Sequence, residues 1–199
     1  MAGGPRGRGT RRIRPQRQLA KRILVVTEGT ETEPQYVERL GGFLRSKGAT
    51  AIVKKVGVGA DPLKVVRKCV EIRDRAEGDA GFDECVCLVD VDQHASLDAA
   101  CRLAEKESIL LLVSNLKFEV WLRWHAEDKR SALTTSQLDH RVKDLKLVSG
   151  KSLLPRFPIE QVHAACDIAR KADPGMAALR VGPDPSSAMP LLVDLLSPR

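Results

Sequence analysis

Four short apolar runs rich in β-branched residues divide the first two-thirds of the chain: RILVVT (22–27), TAIVKKVGV (50–58), ECVCLV (84–89) and ILLLV (109–113). The first, third and fourth are continuous rather than alternating, the pattern of strands covered on both faces of a parallel sheet. Val56-Gly57-Val58-Gly59 marks the loosening end of the second. Between the runs, apolar residues recur at helical spacing. Pro34 suits an opening helical turn, and Tyr36, Val37, Leu40, Phe43 and Leu44 follow three and four residues apart. Asp61-Pro62 reads as an N-cap with proline at the first helical position, ahead of Leu63, Val66, Val70 and Ile72. Within 97–107, Ala100, Leu103 and Ala104 form one stripe.

This alternation predicts right-handed crossovers and an α/β fold, a four-stranded, mainly parallel sheet flanked by helices. Such sheets hold their sites at the carboxyl ends of the strands. Farther on, residues 118–125, 161–172 and 188–196 have helical spacing. Residues 131–158 carry turn signals at Ser149-Gly150 and Pro155 and read as a loop-rich insertion. The division expected is a disordered basic tail at 1–21, an α/β core at 22–126 and a C-terminal helical extension at 127–199 packed on that core.

Composition changes the picture in two places. The net charge of +7 suggests a nucleic-acid partner, but residues 1–22 hold eight basic and no acidic residues. The rest of the chain carries 25 basic against 26 acidic residues, so the excess is a tail, not a face. Arg11, Arg12, Arg14 and Arg17 of that tail either hold phosphates by counterion release or belong to a solvated leader. The five cysteines are odd in number and include no CxxC, which favours apolar packing over metal or redox use and a reducing cytoplasm. No apolar run is long enough to cross a bilayer, and the N-terminus lacks the apolar stretch of a signal peptide, so no membrane partner is expected.

The candidate chemistry lies at two strand ends. The first run leads into Glu28-Gly29, then Glu31 and Glu33; the third leads into Asp90-Val91-Asp92. If these strands are neighbours, Glu28, Asp90 and Asp92 gather at one edge, where crowded carboxylates repel unless a cation intervenes. Hard oxygen ligands of this kind suit Mg²⁺, or Mn²⁺. The plain alternative is a set of solvated carboxylates capping the next helices. Gly29, Glu33, Ser114, Asn115, Lys117, Glu119 and His94 are the candidate substrate-binding residues around them. Glu119 could add an oxygen ligand, Lys117 could meet a phosphate, and His94 stands two residues after Asp92. Phe118 and Trp121 fit a core face better than a base-stacking platform, and His125 fits a structural histidine.

An apolar strand ending in E-G, a second ending in D-x-D and about sixty residues between them resemble the Toprim fold of topoisomerases, primases and several nucleases. More closely, RILVVTEGTETEPQY (22–36), VGVG (56–59), SNLKFEVWLRWH (114–125) and PSSAMPLLVDLL (185–196) resemble the RloB-like family of restriction-modification and abortive phage-infection loci. The resemblance implies a Toprim-like core, a Mg²⁺-dependent phosphodiester site on Glu28, Asp90 and Asp92, a nucleic-acid substrate (DNA or RNA) and an ATPase subunit as partner. Leu116 departs from the proline that many relatives carry after the asparagine.

Three functions follow from these residues. The first is a metal-dependent nuclease in anti-phage defence. The second is a non-catalytic nucleic-acid- or nucleotide-binding subunit acting with a partner ATPase. The third is a phosphoacceptor domain using Ser114 and Lys117, although its acidic pair would follow the wrong strand. Topoisomerase action requires a tyrosine nucleophile on another domain, whereas the single tyrosine here, Tyr36, falls inside the first helix. Primase action would need further domains.

Overall fold

The computed structural model describes residues 20–59, 61–76, 81–91 and 96–197. Four parallel strands, β1 (Arg22–Thr27), β2 (Ile52–Gly57), β3 (Glu84–Asp90) and β4 (Leu110–Asn115), alternate with α1 (Thr32–Ser46), α2 (Pro62–Asp74) and α3 (Leu97–Lys106). The chain then runs through α4 (Glu119–Arg123), α5 (Thr135–Asp144), the short strands β5 (Val148–Ser149) and β6 (Ser152–Leu153), a 3₁₀ turn and α6 (Val162–Ala172). It closes with β7 (Ser186–Ser187) and α7 (Met189–Leu196).

The sheet has five strands in the order β2-β1-β3-β4-β7, one more than the four expected. The extra strand is β7, two residues that pair antiparallel with Ser114 and Asn115. Its sequence, Ser186-Ser187, carries no β-branched or alternating signal. Pairing with β4 creates it, secured by a 2.8 Å hydrogen bond between the Ser114 and Ser187 hydroxyls.

Alternate residues of the central strands feed two apolar layers. Ile23, Val25, Val86, Leu88 and Leu112 face α1, α7 and the segments after β4. Leu24, Val26, Cys85, Cys87, Val89, Leu111 and Val113 face α2 and α3. Both faces of β1, β3 and β4 are therefore covered, which accounts for their unbroken apolar sequences. Asp61 caps α2 as expected, its side chain accepting from the Lys64 N–H, with Pro62 opening the helix. The cysteines are all free, and all but the partly exposed Cys101 are buried. Burial lifts the Cys166 thiol to about 12, so it packs as a small apolar group.

The segment read as a loop-rich insertion contains the ten-residue helix α5 and the β5–β6 hairpin. Thr134 and Gln137 close a capping box at the start of α5, a T-x-x-Q signature present in the sequence. Leu138, Val142, Leu147, Leu153 and Phe157 join the same apolar layer as α1. Among the described residues no helix is long and apolar enough to cross a membrane.

Under this layer the Tyr36 hydroxyl meets His125 Nε2 at 3.1 Å, while His125 Nδ1 lies 3.1 Å from the Trp121 carbonyl. A carbonyl only accepts, so Nδ1 carries the proton and Tyr36 donates to Nε2. Burial pulls His125 down to about 4, against the pull of the Trp121 carbonyl. The unfolded chain therefore binds the extra proton first as pH falls, and stability present above pH 6.5 is lost between 6.5 and 4. Urea midpoints measured across that range should fall with pH in the wild type, by up to about 3 kcal/mol from this group. The fall above pH 5 should flatten in His125→Gln.

Candidate active site

Strand order reverses between β1 and β3. From β1 the chain crosses by α1 to β2 on one side, then returns by α2 to β3 on the other. A crevice opens at such a switch point, outside the carboxyl ends of the two strands. Glu28 directly follows β1 and Asp90 ends β3. The Glu28 N–H donates to the Leu88 carbonyl at 3.0 Å, and the Asp90 N–H donates to Glu28 Oε2 at 3.2 Å. The pairing of β1 with β3 thus sets the two acidic residues side by side.

Glu33 reaches the same place from the first turn of α1. Its carboxylate accepts from the Gly29 N–H at 3.0 Å. A Cβ on Gly29 would stand 2.0 Å from Glu33 Oε2, so the close approach that glycine permits here is that of Glu33. Gly57, at the end of β2, has no room for a side chain either. A Cβ there would lie 2.7 Å from the Gly29 carbonyl oxygen and 2.7 Å from Thr30 Cα.

The fourth carboxylate is Glu119, which opens α4. Asp90 retains some exposure, yet it is enclosed closely enough that burial is the main cause of a pKa held well above the ordinary carboxylate value. The negative charges of Glu33, Glu119 and Glu28 add to that rise, and the Phe118 backbone amide opposes it. Burial likewise raises Glu33 and Glu119. Lys117 is the cation of the group. Its Nζ pairs with Asp139 of α5 and lies 3.8 Å from Glu119 Oε2. Burial favours its neutral form, but Asp139, Glu119 and Asp90 together hold its pKa above the usual value.

Of the other candidates, Ser114 and Asn115 emerge at this edge but spend their side chains on the closing segment. Ser114 bonds Ser187, and the Asn115 side-chain amide donates to the Gly182 carbonyl at 3.0 Å. The Asn115–Leu116 peptide is cis. Phe118 and Trp121 are buried core, and His125 is the satisfied histidine beneath them. Asp92, His94 and the tail arginines Arg11, Arg12, Arg14 and Arg17 lie outside the described residues. Asp139 was not among the candidates; it stands on α5, in a segment read as loop-rich, and the T-x-x-Q capping signature at Thr134–Gln137 was the signal that could have found its helix.

Residues 23–196 match the family described as RloB-like protein. The chain belongs to the RloB-like family. No curated protein and no solved structure matches it significantly. For this RloB-like protein, the matched region takes in Glu28, Glu33, Asp90, Lys117, Glu119 and Asp139.

The donors are of the type that hard divalent cations take, since the neighbouring groups are carboxylates, three of them with raised pKa. Among the described residues, no three Asp, Glu, His or Cys side chains stand close enough together to hold a metal ion by themselves. Glu28 and Glu33 instead accept from the backbone amides of Asp90 and Gly29.

Two outcomes follow. Folding raises the Asp90 pKa, so the native state binds more protons above the ordinary carboxylate value, and stability falls as pH rises through that window. In chelator, Asp90→Asn should melt higher than wild type at neutral pH, with the gain vanishing below about pH 4. Gly57→Ala should lower stability by about 1–3 kcal/mol in urea denaturation, because its Cβ meets backbone that cannot swing away.

Proposed function

We propose that this RloB-like protein is a Mg²⁺-dependent phosphodiesterase acting on nucleic acid, with a Toprim-like arrangement of Glu28, Asp90 and Asp92. The observation that carries the reading is the convergence of Glu28, Glu33, Asp90 and Glu119 at the switch point, with Asp90 enclosed and hard to ionise. Such a cluster is costly in a protein that makes no use of it, and a cation relieves the cost. Its place at the carboxyl ends of parallel strands is where ligands bind in open α/β sheets.

In this reading Asp90 and Asp92 hold the cation, with Glu33 and Glu119 completing or orienting the shell. Mg²⁺ bound there would neutralise charge on the pentacoordinate phosphorus of the transition state and orient the phosphate. Glu28, hydrogen-bonded to the Asp90 amide, would take the proton from the attacking water. The water oxygen bonds to phosphorus as the ester P–O bond breaks, and the departing oxygen takes its proton from solvent. Lys117, paired with Asp139 and near Glu119, is the cation of this site that would meet the phosphate. A role in anti-phage defence alongside an ATPase belongs to the same proposal.

The test is cleavage of end-labelled single- and double-stranded DNA and RNA with Mg²⁺ or Mn²⁺. Glu28→Gln should lose roughly 10²- to 10⁴-fold in rate, the range of a general base, with circular dichroism unchanged. Asp90→Asn should lose activity at every metal concentration. Cleavage that persists unaltered in both variants would contradict the assignment.

A further inference from the structure

The β5–β6 hairpin is strapped along α1. At its tip, the Thr32 hydroxyl donates to the Lys151 carbonyl at 2.5 Å. One turn on, the Gln35 side chain accepts from the Leu153 N–H at 3.0 Å. At the base, Arg39 donates to the Leu154 carbonyl at 2.5 Å and the Leu153 carbonyl at 3.1 Å. The tip therefore adjoins the Glu28–Glu33 turn, and the base lies about 10 Å along the helix, the rise of seven residues.

At that base opens a cavity of about 460 Å³ with apolar walls from Leu145, Leu147, Leu154 and Pro158. The exposed cations Lys146 and Arg156 also line it. Lys146, Arg156 and the exposed Lys151 make no ion pair among the described residues, as is also true of Arg67, Arg102 and Lys106 on the other face of the sheet. An apolar slot with two uncommitted cations matches a nucleobase with its flanking phosphates. The 10 Å to the acidic turn is about three stacked nucleotides.

We propose that this hairpin is the strand-holding element of the protein: the cavity takes one base of a single-stranded polynucleotide, Lys146 and Arg156 take its phosphates, and Lys151 leads the strand to the acidic crevice. The inference rests on the reading of that crevice as a phosphodiester site. It differs from that reading in needing no cleavage to be tested.

Fluorescence anisotropy of a short labelled single strand, DNA in one arm and RNA in the other, should be followed against salt with the full chain in EDTA. Replacing Lys146, Lys151 and Arg156 together by alanine should weaken binding at least about tenfold and reduce the slope of log K against log salt by about 2. Replacing Arg67, Arg102 and Lys106, exposed cations of α2 and α3 across the sheet, removes the same charge and should change neither. Ala126→Trp fills the cavity wall and should weaken binding about tenfold without altering the slope. A triple variant that behaves like the α2/α3 control, or an Ala126→Trp protein that binds as wild type, overturns the proposal. A chain that holds the strand through these residues but never cleaves it would defeat the nuclease reading and leave this one standing.

Discussion

The pairing of β1 with β3 is the constraint on which the rest depends. β1 lies between β2 and β3, is fully covered on both faces from Ile23 onward, and has its strand order reversed on either side. Because the register sets Thr27 against Leu88, the residues just beyond both strands come out together. Two carboxylates then share one crevice, and α1 and α4 bring in two more. Carboxylates set this close raise one another's pKa, and Asp90 is raised well above the ordinary value.

The segments after β4 do more than cover one face. Glu127 accepts from Arg123 of α4 at 2.6 Å and from Arg141 of α5 at 2.5 Å, pinning the two helices together. Arg141 first, then Arg123, against the cost of burial, hold Glu127 down to about 2. With α5 fixed, Asp139 can face Lys117, and the hairpin that follows can lie along α1. The closing strand β7 meets Ser114 and Asn115 at the same sheet edge. Both halves of the chain therefore shape one edge of one sheet.

Much of this was legible from sequence where local pattern and global fold agree. β1 is the apolar run RILVVT, and the caps at Asp61 and Pro62 stand where the sequence puts them. The sequence marked the strand endings E-G and D-x-D but left open whether the two strands are neighbours, and the pairing of β1 with β3 supplies that. What escaped did so for physical reasons. β7 has no strand signal because two serines gain strand geometry only from β4. The α5 helix hides because its exposed face is almost wholly polar, leaving Leu138 and Val142 as its buried residues. Glu33 could be placed on a helix, but its turn onto the Gly29 amide depends on a missing side chain, which spacing alone does not express.

The central claim is that these carboxylates form a cation site organised by Asp90. The most direct measurement is Mn²⁺ binding, read from the loss of the free-ion electron paramagnetic resonance signal on adding protein. The account predicts saturable binding by the wild type, displaced by Mg²⁺ and abolished in Asp90→Asn. Binding of equal strength in that variant, or none in the wild type, would contradict it.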